Sequence, residues 1–133
     1  MVIYLGADHA GFELKEKIKK RLDAYEVVDF GAYQLNPQDD YPDFMRPVAE
    51  AVAKDPTSRG IIMGGSGQGE AMAANRIKGA RAAVVYNFDE RVIKLSREHN
   101  DANILSLGAR FLTDEEALKA VELWLETSFS GEE

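Results

Sequence analysis

The stretch Gly64-Gly65-Ser66-Gly67-Gln68-Gly69-Glu70 gathers four glycines, a hydroxyl and a carboxylate within one short segment. It directly follows the apolar run Gly60-Ile61-Ile62-Met63 and leads into a helical pattern over 71–77. A strand, a glycine-rich turn and a helix start together build an anion site. Glycine lets backbone N–H groups approach a ligand, and the helix N-terminus adds partial positive charge. Gly65, Gly67 and Gly69 are the candidate backbone donors, Ser66 adds a hydroxyl, and Glu70 adds a potential base. An anion cradle carrying its own base suggests catalysis rather than simple binding.

Glu70 has two readings. As the acid of a helix's first turn it would only complement the macrodipole. As a general base beside an oxyanion site it would meet opposing demands, because a helix N-terminus lowers a carboxylate pKa and an apolar pocket raises it. The loop is not a nucleoside-triphosphate P-loop, since Glu70-Ala71 follows Gly69 where Lys-Ser/Thr is required. Its glycine spacing, outside the first strand–helix unit, does not fit a dinucleotide fingerprint either.

Other candidates flank it. His9 and His99 are the only histidines, each within a polar cluster: Asp8-His9 and Glu98-His99-Asn100-Asp101. Each reads as a surface or satisfied core histidine or as a functional one. Two distant histidines without cysteine offer no familiar metal-ligand spacing. Arg110, just past Gly108, is either an oxyanion or phosphate clamp or a surface ion-pair partner. The lysine-rich stretch 15–21 reads as the solvated face of a helix.

The elements that must position these groups alternate along the chain. Strand patterns fall at 2–6, 27–30, 61–63, 81–86 and 103–107. Between them, Leu14, Ile18 and Leu22 mark one helical stripe, and Phe44, Met45, Val48, Ala49 and Val52 another. Further helices are predicted over 71–77 and 88–98. Thr113-Asp114-Glu115-Glu116 is a capping-box pattern that opens a last helix. Residues 32–42 form the longest irregular stretch. This alternation predicts an α/β fold, a parallel sheet covered by helices on both sides. In such sheets ligands bind at the carboxyl ends of the strands. Asp8 and His9, the 66–70 segment and Arg110 all follow strand ends, and that coincidence outweighs any single motif.

Size and charge bound the rest. The chain has 133 residues, of which 45% are hydrophobic and 29% charged. It reads as one globular domain over 1–133 with a polar tail at 128–133. A net charge of −7 argues against nonspecific nucleic-acid binding. No apolar run is long enough to span a bilayer. The start, Met1-Val2-Ile3-Tyr4-Leu5, reads as a first strand rather than a signal peptide. Absence of cysteine excludes disulfides and thiolate chemistry and suggests a cytoplasmic location.

In order along the chain, Gly6-Ala7-Asp8-His9-Ala10-Gly11, Asp40-Tyr41-Pro42, the loop and helix start over 64–75, His99-Asn100-Asp101 with Asn103, and Gly108-Ala109-Arg110 resemble ribose-5-phosphate isomerase B and its galactose-6-phosphate isomerase relatives. The resemblance covers about residues 2–126. It implies a three-layer, Rossmann-like α/β/α sandwich with five parallel strands in the order 2-1-3-5-4. The implied activity is metal- and cofactor-free interconversion of aldose and ketose phosphates, with ribose 5-phosphate and ribulose 5-phosphate as the expected pair. Glu70 matches the base that shuttles a proton between C1 and C2. Other members use a cysteine at the position of Gly64, which puts this chain in the glutamate branch. Ser66 and the N–H groups around Gly65, Gly67 and Gly69 match the enediolate site. Asp8 and His99 match ring-opening residues, and Asn100 and Tyr41 substrate contacts. His9 and Arg110 match phosphate ligands. The resemblance also implies a homodimer, or a dimer of dimers, in which His99, Asn100 and Arg110 come from the neighbouring subunit.

One departure stands out. Many relatives carry further arginines beyond the last helix, whereas no basic residue follows Lys119 here. Phosphate would then rest on Arg110, His9 and backbone groups, with Arg76 or Arg81 as substitute cations. The alternatives are an isomerase of galactose or allose 6-phosphate or of a tetrose phosphate, and a non-catalytic sugar-phosphate-binding module.

Overall fold

The structure, a computed structural model, describes residues 1–31 and 42–131. Strands β1 (Val2–Ala7), β2 (Glu26–Asp29), β3 (Arg59–Gly64), β4 (Ala82–Val85) and β5 (Ile104–Gly108) alternate with helices α1 (Phe12–Arg21), α2 (Pro42–Lys54), α3 (Gln68–Ala74), α4 (Glu90–Glu98) and α5 (Asp114–Glu126). All strand pairs are parallel, in the order β2-β1-β3-β5-β4. The fold class and strand order implied by the resemblance are those observed.

The central strands are apolar on both faces because helices cover both. Ile3, Leu5, Ile61, Met63, Leu105 and Leu107 point into one layer, which α1, α4 and α5 close with Leu14, Ile18, Ile93, Val121 and Trp124. Ile62 and Ile104 point to the other, closed by Met45, Val48, Ala49 and Val52 of α2 and Ala74 of α3. Local signals set the helix starts. Thr113 and Glu116 form the expected reciprocal capping box at α5, which satisfies two amides that the helix itself leaves unpaired. Asp89 caps α4 by accepting from the amides of Arg91 and Val92, the usual role of an N-cap carboxylate.

Three details differ from the sequence expectations. Helix α3 begins at Gln68 rather than 71, because Gly67 turns the chain at φ 80° and the helix follows at once. That moves Glu70 fully into the first turn. Strand β4 is trimmed to four residues at the sheet edge. Asn75 takes the place of a neighbouring strand there: its Nδ2 donates to the Ala82 carbonyl at 3.2 Å, and the Ala82 amide donates to its Oδ1 at 2.8 Å. Finally, the 15–21 lysine stretch is not uniformly solvated. Lys15 is fully buried, with its Nζ 2.8 and 3.0 Å from the Asp29 carboxylate oxygens. Burial alone would raise the Asp29 pKa, but hydrogen bonds from Lys15, the Gly31 amide and Lys19 outweigh it and hold Asp29 below its ordinary value, since each favours the charged form.

The order 2-1-3-5-4 reverses direction between β1 and β3, and the crevice at their carboxyl ends is where such sheets bind ligands. Gly31 braces that end, accepting from the Ala7 amide at 2.7 Å while its own amide donates to Asp29 at 2.8 Å.

Candidate active site

The groups at the β1 and β3 ends converge. Asp8 leaves β1 and is 7% exposed. Its Oδ1 accepts from the Ala10 amide at 2.9 Å and the Gly11 amide at 3.3 Å. The carboxylate is thereby tied to the turn that starts α1. Glu70 is 5% exposed, inside the cradle formed by its own loop. Burial pushes its pKa up, the charge of nearby Asp8 pushes it further, and the amides of Glu70 and Gly67 pull the other way. The net direction is upward. Desolvation therefore outweighs the helix terminus, and a first-turn acid becomes a stronger base than a free carboxylate.

Glycine at position 64 is a steric requirement of this arrangement. A Cβ there would fall on the Glu70 carboxyl. The place that the resemblance assigns to a cysteine side chain in other members is thus filled here by the glutamate arriving from α3. Gly67 is constrained twice, by its positive φ and by the Leu107–Gly108 backbone, 3.1 Å from any added Cβ. Only glycine meets both conditions without strain. Ser66 is half-buried, and its Oγ accepts from the Gln68 amide at 3.2 Å, which shapes the turn.

The segment after β5 is zipped onto this loop. The Ala109 amide donates to the Gly64 carbonyl at 2.7 Å, and the Arg110 amide to the Gly65 carbonyl at 3.0 Å. The Arg110 guanidinium consequently stands over its own chain's glycine loop, with Nη1 3.2 Å from where a Gly65 Cβ would lie. The resemblance implied an Arg110 supplied by a neighbouring subunit; the backbone ties set it beside the loop of its own chain. His9, next to Asp8, is half-buried at the same edge. Tyr41 lies outside the described residues.

His99 and Asn100 are elsewhere. They follow α4 and precede β5, so they sit at the amino end of the strands. At about 3.3 Å per residue, the length of β5 separates them from Glu70 by roughly 15 Å or more. Both are exposed or nearly so, and Asn100 lines a groove with Asn75, Arg81 and Ser96 beside the β4 edge.

Sequence reasoning missed Ser106. This buried hydroxyl in β5 donates to the Gly67 carbonyl at 2.7 Å and fixes the loop from beneath. A lone hydroxyl inside the apolar strand Ile104–Gly108 was the available signal.

A parallel α/β sheet with a glycine loop, a buried carboxyl and a nearby arginine at its switch point has the groups that a catalyst acting on a small anionic molecule requires. Comparison with known proteins narrows the class. Residues 3–133 match the sequence profile of the Ribose/Galactose Isomerase family. Ribose-5-phosphate isomerase B of Mycolicibacterium paratuberculosis is 42% identical over 132 residues, covering 98% of this chain and 82% of that one. Two solved structures are similar over 98% of this chain. Ribose-5-phosphate isomerase B of Mycoplasma genitalium, solved with bound ribulose-5-phosphate, is 41% identical with a TM-score of 0.93 over 86% of its own chain. The Clostridium thermocellum enzyme is 47% identical with a TM-score of 0.92 over 88% of its chain. The chain belongs to the Ribose/Galactose Isomerase family.

Proposed function

We propose that this chain is an aldose–ketose isomerase that converts ribose 5-phosphate to ribulose 5-phosphate through a cis-enediolate, with Glu70 as the base. The observation that carries this reading is the buried Glu70 carboxyl, its pKa raised, lodged in a loop of backbone donors. After ring opening, the Glu70 carboxylate takes the C2 proton of the aldehyde form. The electron pair moves onto O1, where Ser66 and the amides around Gly65, Gly67 and Gly69 stabilise the developing charge. A proton passes between O1 and O2, and Glu70 returns its proton to C1, giving the ketose. The reaction moves protons only and needs no redox cofactor.

Ring opening requires one group to take the anomeric hydroxyl proton and another to protonate the ring oxygen. Asp8 and His99 are assigned to this pair, Asn100 and Tyr41 to the sugar oxygens, and His9 and Arg110 to the phosphate. His99 and Asn100 lie at the amino end of the strands, and in this reading, as in the resembled family, they serve the site of a second copy. The exposed surface favours a homodimer. Among the described residues the exposed large hydrophobics are Met1, Phe129 and five on or beside α3, β4, α4 and the turn after β5: Met72, Tyr86, Val92, Leu95 and Phe111. Tyr86 and Val92 line one groove beside β4, and clustered exposed apolar residues mark an interaction surface. Tyr86 and Phe111 stack edge to face, with ring centres 6.4 Å apart, a favoured aromatic geometry. No helix among the described residues is long and apolar enough to cross a membrane, and a single cytoplasmic domain fits this role.

The test is conversion of ribose 5-phosphate by the purified, EDTA-treated protein, followed by NMR in D₂O. Turnover with deuterium entering at C2 is the expected result. A folded protein that binds ribose 5-phosphate without turnover would replace the isomerase with a binding module. Turnover of a hexose or tetrose phosphate alone would reassign the substrate.

A further inference from the structure

The turn that carries His99 and Asn100 lies at the surface, yet it is braced from three sides. Asp101 is the single non-glycine residue with positive φ among those described, at 48°. Such a conformation persists only when surroundings over-determine it, and asparagine and aspartate tolerate it best. Two arginines supply the over-determination. Arg97, 2% exposed, donates through Nη1 to Asp101 Oδ1 at 2.9 Å and to the Ala102 carbonyl at 2.7 Å, and through Nε to the Thr127 carbonyl at 3.0 Å. Its guanidinium lies 5.9 Å from the centre of the Trp124 ring, within range of a cation–π contact. Arg81 grips the other side, with Nε to the Asp101 carbonyl at 2.8 Å and Nη2 to Oδ2 at 3.2 Å. From the third side the Ser130 hydroxyl and amide donate to the Glu98 carbonyl at 2.7 and 3.1 Å.

The His99 and Asn100 side chains themselves make no hydrogen bond to the described residues of their own chain. Ordering a surface turn against its conformational freedom costs free energy, and two side chains without partners do not repay it within one chain. We infer that Arg97, Asp101 and Arg81 form a positioning clamp, with Asp101 at its centre, that holds His99 and Asn100 in the geometry needed by the active site of a second copy. This rests on the proposed sharing of sites. Asp101 touches no reacting atom; it acts through the turn.

The experiment is a double-mutant cycle read in steady-state kinetics with ribose 5-phosphate. Asp101→Asn keeps a residue that tolerates positive φ and removes one charged acceptor from the clamp. Asp101→Gly keeps the backbone free to adopt the turn and removes both acceptors. Both variants should keep the wild-type circular dichroism spectrum and oligomeric mass. Asp101→Asn should lower kcat/KM by about tenfold, and Asp101→Gly by more, with kcat and KM dividing the loss as they do in His99→Ala. Combined with His99→Ala and Asn100→Ala, the Asp101 substitutions should cost less than about twofold further, because the groups they position are gone. Full additivity in that background, or wild-type kinetics for both Asp101 variants while His99→Ala is impaired, would overturn the clamp. Wild-type activity of His99→Ala itself would instead overturn the shared-site reading beneath it.

Discussion

The two ends of the sheet handle polar groups in opposite ways. At the carboxyl end, Asp8 and Glu70 are withdrawn from water, and the charge of one raises the proton affinity of the other. At the amino end, His99 and Asn100 are left at the surface, and the charge density sits behind them in the Arg97–Asp101–Arg81 clamp. The first arrangement creates a reactive group, since desolvation is what makes a carboxylate basic. The second leaves exposed groups on a turn fixed in shape, which the proposed sharing of sites would have a second copy cover. On that proposed sharing, each edge is half of a site. Two copies related by a twofold axis would each offer one edge to the other's opposite edge, giving two equal sites per pair.

The difference can be broken most severely at Glu70. Glu70→Gln should lower kcat by roughly 10²–10⁴, the range typical for loss of a general base, with the fold retained. It should also stabilise the protein at neutral pH. The folded pKa of Glu70 lies above its ordinary value of 4.5, so over that interval the folded chain keeps a proton that the unfolded chain has released. Stability therefore declines as pH rises from 4.5 through the folded value, and the glutamine variant escapes this decline. Melting curves should favour the variant at neutral pH and converge with wild type below 4.5.

A smaller loss is expected at Gly64→Ala. The added methyl displaces the Glu70 carboxyl, and misplacing a base by about 1 Å costs on the order of 10²-fold in kcat. Wild-type kcat would mean that the observed position of Glu70 is not the working one. Arg110→Ala should raise KM for the phosphate ester by about tenfold with a lesser change in kcat, as expected for a charge-assisted contact to a non-reacting group. Phosphate affinity unchanged by that substitution would move the clamp to another cation. Smallest is Thr113→Ala, at the capping box of α5. It should cost about 1 kcal/mol of stability in a melting experiment and leave kinetics untouched.

How legible was this contrast in the amino-acid sequence? The carboxyl edge was largely readable, because its parts are local. Strand, glycine turn and helix start are contiguous in 60–75, and each strand end announces itself where an apolar run stops. The five strands were visible as apolar runs, and the capping box at Thr113 formed as written. The strand order and the residue roles came from family resemblance, not from periodicity. What stayed hidden depends on tertiary register. The Ser106–Gly67 bond joins residues 39 apart, and the Lys15–Asp29 pair hides a lysine in a stretch that looks solvated. Glu70 fills the space above Gly64 because α3 starts at Gln68, and helix ends are where sequence patterns are least sharp. The clamp around Asp101 was equally hidden, since Arg81, Arg97 and Thr127 come from separate parts of the chain.

The central claim, that the buried base of one copy works with the presented turn of another, is tested most directly by mixing two inactive variants. Glu70→Gln and His99→Ala proteins, each nearly inactive alone, are combined under conditions that allow subunit exchange, and ribose 5-phosphate turnover is measured. A shared site predicts recovery to about a quarter of wild-type activity, because half of the pairs are mixed and each mixed pair holds one intact site. Verified exchange with no recovery would contradict the account, placing Glu70 and His99 in the service of the same chain's site.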